Sequence, residues 1–301
     1  MRLKTTLDQW QTLLEIERAG SIQAAATSMN KSHTTLIYAV KKLEQQLGVP
    51  LIEVQKRRAV LTEDGKSLLR RANAMLEQAQ ELEEMSEQLS KGIESEITIA
   101  IDHLCDPAWL YQPMSEFLAH NSTTSVQVVE TSLSKTKEMV TGEQADFAII
   151  NIPITNYPAE AFGVTTMVPV VAAHHHLAQK ESLCFSELAS TSQIVIRDLG
   201  GESDKSSKQD IGWLKSRQRI TVDNFDHAFR AVERGGGFCR LPEHIVESRA
   251  DGRIKVLNIE NAERYQVPLH LTLPKGVKTG PAARYFYELL LDTSRSRVDQ
   301  S

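Results

Sequence analysis

The sequence predicts an α/β protein that begins with a winged helix-turn-helix and continues through a long linking helix into an α/β domain. Three observations carry this prediction. A capped amphipathic helix over residues 32–47 precedes two short apolar stretches with a basic tip between them. From Glu63 the chain is helix-forming, with apolar side chains at heptad spacing. Beyond residue 95, apolar strands alternate with helical stretches, as in a parallel sheet covered by helices.

Length and charge limit the classes of protein. With 301 residues and 41% hydrophobic residues, the chain can form two or three units with real cores. The net charge of −5 hides an asymmetry, since residues 1–71 sum to +5 and the remainder to −10. A basic amino end and an acidic remainder favour a nucleic-acid partner at the amino end only.

The sequence gives no sign of export or of membrane insertion. The first residues lack the apolar centre of a signal peptide, and no run of 18 apolar residues occurs. Cys105, Cys184 and Cys239 are far apart and odd in number, which matches no metal motif and suits a reducing compartment. We therefore expect a cytoplasmic protein with no membrane partner.

The stretch 32–47 is typical of a DNA-recognition helix. Ser32 can cap it, and Gly48 followed by Pro50 ends it. An apolar stripe occurs at spacings of four, three and four, formed by Leu36, Val40, Leu43 and Leu47. The other face offers short polar groups for base edges and cations for phosphates. An ordinary amphipathic surface helix is the alternative interpretation of this segment alone.

The flanking sequence favours the DNA-binding interpretation. A core-facing helix is expected over 7–18 and a short alanine-rich helix over 22–29, with Ser21 as its cap. Apolar stretches at 51–54 and 59–62 predict a two-stranded wing whose basic tip suits the minor groove or neighbouring phosphates. The candidate DNA-binding residues are Ser32, His33, Thr34, Thr35, Tyr38, Lys41, Lys42, Lys56, Arg57 and Arg58.

These motifs resemble the LysR-type transcriptional regulators over nearly the whole chain. The matching stretches are Gly20-Ser21 with the alanines after it, Lys42-Leu43-Glu44 through Leu47-Gly48-Val49, and Leu61-Thr62-Glu63-Asp64-Gly65. Two positions depart from the family, which usually has serine where Ile37 stands and arginine where Val54 stands. Tyr38 replaces a common arginine, and it either contacts DNA or packs on the helix surface.

The long helix after the wing predicts a partner. Its heptad seam consists of Leu68, Ala72, Met75, Ala79, Leu82, Ser86, Leu89 and Ile93. A stripe of this kind packs either within its own chain or against a second copy, and the resemblance favours a dimer. Two recognition helices on one duplex would also raise affinity. Ser90-Lys91-Gly92 is the expected hinge into the next domain.

The rest of the chain predicts two sets of strands and helices. Strands are expected at 96–101, 126–130 and 145–150, with helices that begin at Asp106-Pro107 and span 133–141. The second set comprises strands at 167–173, 193–197, 219–222 and 238–241 and a helix at 225–234. A strand at 267–273 and a helix at 282–291 close the chain.

For this part, the resemblance implies an effector domain like a periplasmic solute-binding protein, with two Rossmann-like lobes. It rests on Gly142-Glu-Gln-Ala-Asp146 and on Gly235-Gly-Gly-Phe-Cys-Arg-Leu-Pro242. Crossings between the lobes are expected near 161–164 and 262–267. The implied domains are a DNA-binding domain at 1–62, a dimerisation helix at 63–92, and an effector domain at 93–301. Lobe I comprises 93–162 and 266–301, and lobe II comprises 163–265.

A small effector should bind in the cleft where strand ends and helix amino ends converge. Residues that follow strand ends are the candidates, namely His103, Cys105, Asp106, Ser132, Asn151, Arg197, Asp223 and Asn224. Asp106 falls where the family often has a hydroxyl residue that holds a carboxylate effector. A carboxylate at that place would repel an anion, so we expect a neutral, aromatic or cationic effector and not a simple carboxylate.

Two further motifs do not indicate a metal or a cofactor. His174-His175-His176 invites a metal-site interpretation, but adjacent side chains diverge and no ligand cluster stands nearby in sequence. We expect neither metal nor cofactor. The polar loop 198–208 is either a flap over the cleft or a solvated linker.

The leading hypothesis is a homodimeric or homotetrameric bacterial transcription factor controlled by a small molecule, with RNA polymerase as a further partner. One alternative is a DNA-binding protein whose sensor domain is inert or redox-responsive. Another is an enzyme built on the two-lobed domain. The enzyme hypothesis lacks a nucleophile elbow, a phosphate loop and metal-ligand spacing.

Overall fold

The computed structural model describes residues 3–55, 58–200, 214, 216–249, 252–260 and 264–298, with Arg58 and Val298 described by backbone alone. The chain divides into two compact units, Met1–Ser90 and Lys91–Ser301. Within the described residues, no helix combines the length and apolar character needed to cross a bilayer.

The first unit is a winged helix-turn-helix. Its helices are α1 (Leu7–Ala19), α2 (Ile22–Ser28) and α3 (His33–Leu47), and its antiparallel wing consists of β1 (Ile52–Gln55) and β2 (Arg58–Leu61). The boundaries follow local chemistry. Thr6 and Ser21 accept backbone hydrogen bonds at the amino ends of α1 and α2, while Gly20 and Gly48 end α1 and α3 at φ 69° and 76°. The predicted elements of this unit are confirmed.

The core of the first unit lies between α1, α2 and α3. The apolar stripe of α3 is fully buried at Leu36, Val40 and Leu43, and it packs in one cluster with Leu13 and Ala25. Burial of leucine-sized side chains stabilises such a core by about 1.5–3 kcal/mol each. Because one face of α3 is fixed in this core, the opposite face is held toward solvent.

The linking helix α4 (Glu63–Ser90) uses two different faces. Near its start, Leu69, Ala72 and Leu76 are buried in the first unit's core, a stripe that the heptad analysis did not predict apart from Ala72. Further along, Leu82 and Leu89 remain 68% and 48% exposed. Packing within the chain therefore accounts for the first half of the helix, and the second half of the heptad seam is left open.

The second unit contains a seven-stranded mixed sheet. Its parallel part consists of β3 (Glu96–Asp102), β4 (Ser125–Thr131) and β5 (Phe147–Ile150), with β3 between the other two. The helices α5 (Ala108–His120), α6 (Leu133–Thr141) and α10 (Pro281–Val298) accompany these strands. Phe117, Phe147 and Phe286 are fully buried, and their rings pack together in the core between sheet and helices.

The two crossings between the lobes are long paired strands. β6 (Ala159–Ala172) and β11 (Tyr265–Thr272) run antiparallel, with a register irregularity between Leu269 and His270. The sequence predicted strands only from 167 and 267, with crossings near 161–164 and 262–267. The first half of β6 is stabilised by a partner about a hundred residues away, and no local pattern announces such pairing.

The remaining elements lie between β6 and β11 in the chain. These are α7 (Phe185–Ala189), β7 (Gln193–Ile196), β8 (Arg219–Val222), α8 (Phe225–Glu233), β9 (Cys239–Pro242), α9 (Glu243–Ser248) and β10 (Ile254–Val256). β7 and β8 are parallel, and β9 and β10 pair with β6. The α/β class is confirmed. The short elements α7, α9 and β10 were not predicted, because a few residues carry too little periodicity.

Candidate DNA-binding surface and effector cleft

The amino end of α3 is organised by Ser32. Its Oγ accepts a hydrogen bond from the Thr35 backbone N–H at 3.1 Å, and it lies 2.8 Å from Thr34 Oγ1 and 2.7 Å from Thr35 Oγ1. Three hydroxyl groups are thus fixed on the first turn of the helix. They form a compact, exposed polar surface of the kind that reads base edges or binds phosphate oxygens.

All the predicted DNA-binding side chains that the structure describes lie on the solvent-facing side of α3. His33, Lys41 and Lys42 are exposed, and Tyr38 is 68% exposed. Tyr38 therefore does not pack into the core. Lys56 and Arg57 lie outside the described residues, and for Arg58 only the backbone at the start of β2 is described.

The wing is fastened to the recognition helix by a residue that the sequence analysis did not single out. Glu44 Oε1 accepts hydrogen bonds from the backbone N–H groups of Leu51 and Ile52, at 2.7 and 3.1 Å. This carboxylate sets where β1 starts relative to α3. A close approach adds to it, since a Cβ on Gly65 would lie 2.2 Å from the Leu51 carbonyl oxygen.

A cleft open to solvent lies at the carboxyl ends of β3, β4 and β5 and along β7. Both lobes contribute to it. Four predicted effector-binding residues line it, namely His103, Ser132, Asn151 and Arg197. His103, Ser132 and Asn151 meet because β3, β4 and β5 are parallel and bring their carboxyl ends to one edge of the sheet. Arg197 follows β7, which pairs with β8 in a separate two-stranded sheet. The other lining residues are Leu104, Leu133, Met167, Gln193, Ile194, Val195, Ile196, Phe225, Cys239, Arg240 and Tyr265.

The other four predicted residues do not line this cleft. Cys105 is buried in the core. Asp106 Oδ1 accepts from the Ala108 N–H at 2.9 Å at the start of α5, and Asn224 Oδ1 accepts from the His227 N–H at 2.9 Å at the start of α8. Asp223 pairs with Arg197 at 2.5 Å. Strand ends and helix caps share the same residue types, which is why the sequence did not separate them.

The cleft wall is aromatic and cationic. His103 and Phe225, from opposite lobes, have ring centroids 4.8 Å apart. The Arg240 guanidinium lies 5.0 Å from the Tyr265 ring centroid. Sequence analysis missed Phe225, Arg240 and Tyr265, although Arg240 belongs to the glycine-rich stretch that carried the family resemblance. Rings and planar cations of this kind suit a flat ligand.

Asp198, which follows β7, reaches across to the amino end of α6. The Ser134 N–H donates to its two carboxylate oxygens at 3.1 and 3.3 Å, and Ser132 Oγ donates to Oδ1 at 3.4 Å. In return the Leu199 N–H donates to Ser132 Oγ at 2.8 Å. Asp198 opens the loop predicted as a flap or linker. Residues 201–208 of that loop lie outside the described residues.

Two neighbouring groups at the end of β3 have shifted pKa values. Asp102 is fully buried, with Oδ1 accepting from the Leu104 N–H at 3.0 Å and Oδ2 without a hydrogen-bond partner among the described residues. Loss of hydration raises the pKa of Asp102 to about 7. Burial lowers the pKa of His103 to about 4, so its ring is neutral at physiological pH. Its Nδ1 likewise has no partner among these residues.

The three cysteines are free thiols and do not form a reactive redox pair. Burial raises the pKa of Cys239 to about 12 and raises that of Cys105 as well, so both remain unreactive thiols. Cys184 is exposed and close to Ser186 Oγ. This chemistry counts against the redox-responsive alternative.

One histidine of the triplet has a structural role. His175 caps the short 3-10 helix His176–Gln179 by accepting from the Leu177 N–H at 3.2 Å. Across the part of the chain that the structure describes, no group of three or more metal-ligating side chains comes together.

Two family profiles match the chain and together cover nearly all of it. Residues 7–66 match the profile described as bacterial regulatory helix-turn-helix protein, lysR family, and residues 90–295 match the LysR substrate binding domain. A winged DNA-binding head joined to a two-lobed, cleft-bearing domain defines a class of ligand-controlled transcription regulators. The chain belongs to the LysR family of transcriptional regulators, with a DNA-binding helix-turn-helix and an effector-binding domain.

Curated relatives are similar over most of their length. The probable HTH-type transcriptional regulator YhaJ of Escherichia coli K12 is 27% identical over 268 residues, which is 87% of this chain and 89% of that protein. The RuBisCO operon transcriptional regulator of Allochromatium vinosum is 23% identical and covers 96% of each chain. These relatives are transcriptional regulators.

Solved structures share the fold. Full-length LysG of Corynebacterium glutamicum is 19% identical and has a TM-score of 0.50, with coverage of 97% of this chain and 98% of that chain. A C206 mutant of OxyR from the same organism is 18% identical with a TM-score of 0.51, covering 99% and 96%. At this identity the likeness shows the fold alone.

Proposed function

We propose that this regulator binds duplex DNA through the polar face of α3 and through its wing. The carrying observation is the division of α3 into a fully buried apolar stripe and an exposed face with ordered hydroxyls and cations. Ser32, His33, Thr34, Thr35 and Tyr38 would contact bases or the backbone near the helix start. The lysines of α3 and the wing residues Lys56, Arg57 and Arg58 would neutralise phosphates.

Substitutions in α3 separate base reading from phosphate contact. Lys42→Ala should weaken binding to all DNA fragments alike and reduce the slope of log affinity against log salt by about one unit. Thr35→Ala should instead change the ranking of fragments and leave the salt slope unchanged. Gel-shift titrations at several salt concentrations measure both, with Lys137→Ala on α6 as the matched control. An identical, uniform loss from both α3 variants would contradict this assignment of the helix face.

The regulator would act as a dimer through α4, and dimers would pair further into tetramers. The open seam at Met75, Leu82 and Leu89 supports the dimer, since each of these side chains is at least 38% exposed on a single copy. The domains would be 1–62, 63–92 and 93–301. The protein would act in the cytoplasm, where chromosomal DNA and RNA polymerase are found, and its effect on transcription would need no catalysis.

The effector would bind in the cleft between the lobes and would not be a simple carboxylate. The reason differs from the one drawn from Asp106, which caps α5 outside the cleft. Asp198 instead places a carboxylate at the amino end of α6, where an anion would otherwise be favoured. Together with the rings of His103, Phe225 and Tyr265, this supports a neutral, aromatic or cationic effector.

A further inference from the structure

The contact between Asp198 and α6 joins the two lobes beside the cleft, next to the lining residues Ser132 and Arg197. Asp198 belongs to lobe II, and its carboxylate accepts hydrogen bonds from Ser132 and Ser134 of lobe I. Ser132 is fully buried, and its Oγ both donates to Asp198 and accepts from the Leu199 N–H. The contact is therefore reciprocal, with donors and acceptors on both sides.

The backbone beside Asp198 packs closely against the start of α6. A Cβ on Gly200 would lie 2.1 Å from the Cβ of Ser134 and 2.9 Å from the Lys135 backbone N. No larger residue could occupy position 200 without moving this segment away from the helix. The Gly200 N–H also donates to Asp198 Oδ1 at 3.0 Å, which fixes the carboxylate in its orientation.

We propose that Asp198 is a latch that holds lobe II against lobe I when no effector is bound. The Ser134 N–H and the dipole at the amino end of α6 stabilise the negative charge of Asp198. Separation of the lobes must therefore expose both the carboxylate and this N–H to water. The ring contact of His103 with Phe225 is a further contact between the lobes, and the latch would keep it closed. This inference rests on the proposed function only in taking the cleft as the effector site.

The competing explanation is a purely local role, in which Asp198 orders its own loop through Gly200. The two roles differ in what happens when the side chain is removed. In both roles the Ser134 N–H loses its carboxylate acceptor, which a free carboxylate ion can replace. A latch also lets the lobes separate, so protection is lost at His103 and Phe225, whereas a purely local role leaves these two residues unchanged.

Hydrogen–deuterium exchange on the full chain tests the latch. In Asp198→Ala, the Ser134 amide should exchange at least tenfold faster than in the unsubstituted protein, and peptides covering His103 and Phe225 should also lose protection. Sodium acetate, compared with sodium chloride at equal ionic strength, should restore the protection of Ser134 in Asp198→Ala. It should not alter the unsubstituted protein.

Gly200→Ala provides a second, independent variant. It keeps the carboxylate but drives the segment off α6, so it should show the same faster exchange and the same response to acetate. The matched control is Asp226→Ala, because Asp226 pairs with Arg230 and Arg249 and all three residues lie in lobe II. It should leave Ser134 unchanged.

The latch would be overturned by unaltered exchange of the peptides covering His103 and Phe225 in Asp198→Ala, by unaltered Ser134 exchange, or by Ser134 exchange that acetate does not slow. Gel shifts on the same preparations report DNA binding separately, and retained binding also shows that the variants are folded. Absence of DNA binding by all the variants and by the unsubstituted protein would count against the proposed function. The exchange data would still test the latch in that case.

Discussion

At the scale of single residues, Asp102 and His103 place two buried titratable groups side by side with opposite effects on stability. The pKa of Asp102 is raised to about 7, so between pH 4 and 7 the folded state holds a proton that the unfolded state has released. Stability due to Asp102 falls as pH rises through that window. The pKa of His103 is lowered to about 4, so its contribution rises with pH between about 4 and 6.5.

Asp102→Asn should therefore remove the contribution of Asp102 to the pH dependence of stability and leave that of His103. The Asp102→Asn protein should gain stability relative to the unsubstituted chain as pH rises from 4 to 7. The gain should be roughly 4 kcal/mol at most, because the pKa of Asp102 is raised from its ordinary value only to about 7. Scanning calorimetry of the full chain across this pH range measures the difference.

The exposed Asp292→Asn in α10 is the control, and it should leave the pH dependence unchanged. A difference between Asp102→Asn and the unsubstituted protein that stayed constant from pH 4 to 8 would show that Asp102 is ionised in the fold at all these values.

Residue chemistry also explains which site residues the sequence could predict. His103, Ser132 and Asn151 follow parallel strands of one sheet, so topology alone brings them to one edge. Arg197 follows β7 of a separate two-stranded sheet, and its place in the cleft depends on how the two sheets pack. Phe225 and Tyr265 enter the cleft from a helix start and from a crossing strand, positions that depend on tertiary packing. Asp198 has no local signature, since an aspartate before glycine in a polar stretch is also typical of a turn.

At the scale of elements, α4 combines two roles along its length. Leu69 and Leu76 attach its first half to the helix-turn-helix core, and Leu82 and Leu89 extend beyond it with exposed surfaces. The heptad pattern includes Leu82 and Leu89, which are exposed on a single copy, and their role in dimerisation stays a prediction. The pattern missed the attached face, because both stripes share Ala72 and overlap in sequence.

Leu82→Glu should weaken self-association by at least tenfold, since it replaces an apolar seam residue with a charge facing its symmetry mate. Sedimentation velocity over a concentration series measures the dissociation constant. Gln80→Glu adds the same charge to a neighbouring exposed position of α4 and should leave association unchanged. Equal sedimentation of all three proteins would place the dimer contact elsewhere on the chain.

The mixed sheet shows where prediction from sequence stops at the element scale. Strands β3, β5 and β7 carry buried apolar runs and were predicted within a residue or two. The amino-terminal half of β6 alternates less clearly, and β10 spans only three residues. These strands exist because distant partners supply their hydrogen bonds, which is information that no short window contains.

At the scale of the whole molecule, effector binding and DNA binding should be linked. An effector of the proposed class should raise the melting temperature of the full chain, by the equivalent of about 2.7 kcal/mol at a hundred times its dissociation constant. The same compound should change the length of the DNase footprint. Simple carboxylates such as acetate or benzoate should do neither.

A thermal-shift screen of aromatic amines, neutral heterocycles and carboxylates, followed by footprinting of the hits, measures both effects. Val277→Ala is a suitable control variant, because Val277 is 96% exposed and does not line the cleft. A footprint of one length under all conditions would instead identify a sensor domain without a regulatory role.

The paired strands β6 and β11 limit how such a signal can arise. Eight residue pairs join them, and the end of α10 lies against β6, where Arg297 donates a hydrogen bond to the Phe162 carbonyl oxygen and its guanidinium lies 4.4 Å from the Trp109 ring centroid of α5. Residues 163–166 of β6 and 266–269 of β11 pair with each other and lie outside the pairings with β5 and β9, and the register slips at Leu269–His270. A rearrangement of the sensor that keeps these pairs would twist this two-stranded stretch, and its torsional stiffness would contribute to the energy that an effector must supply.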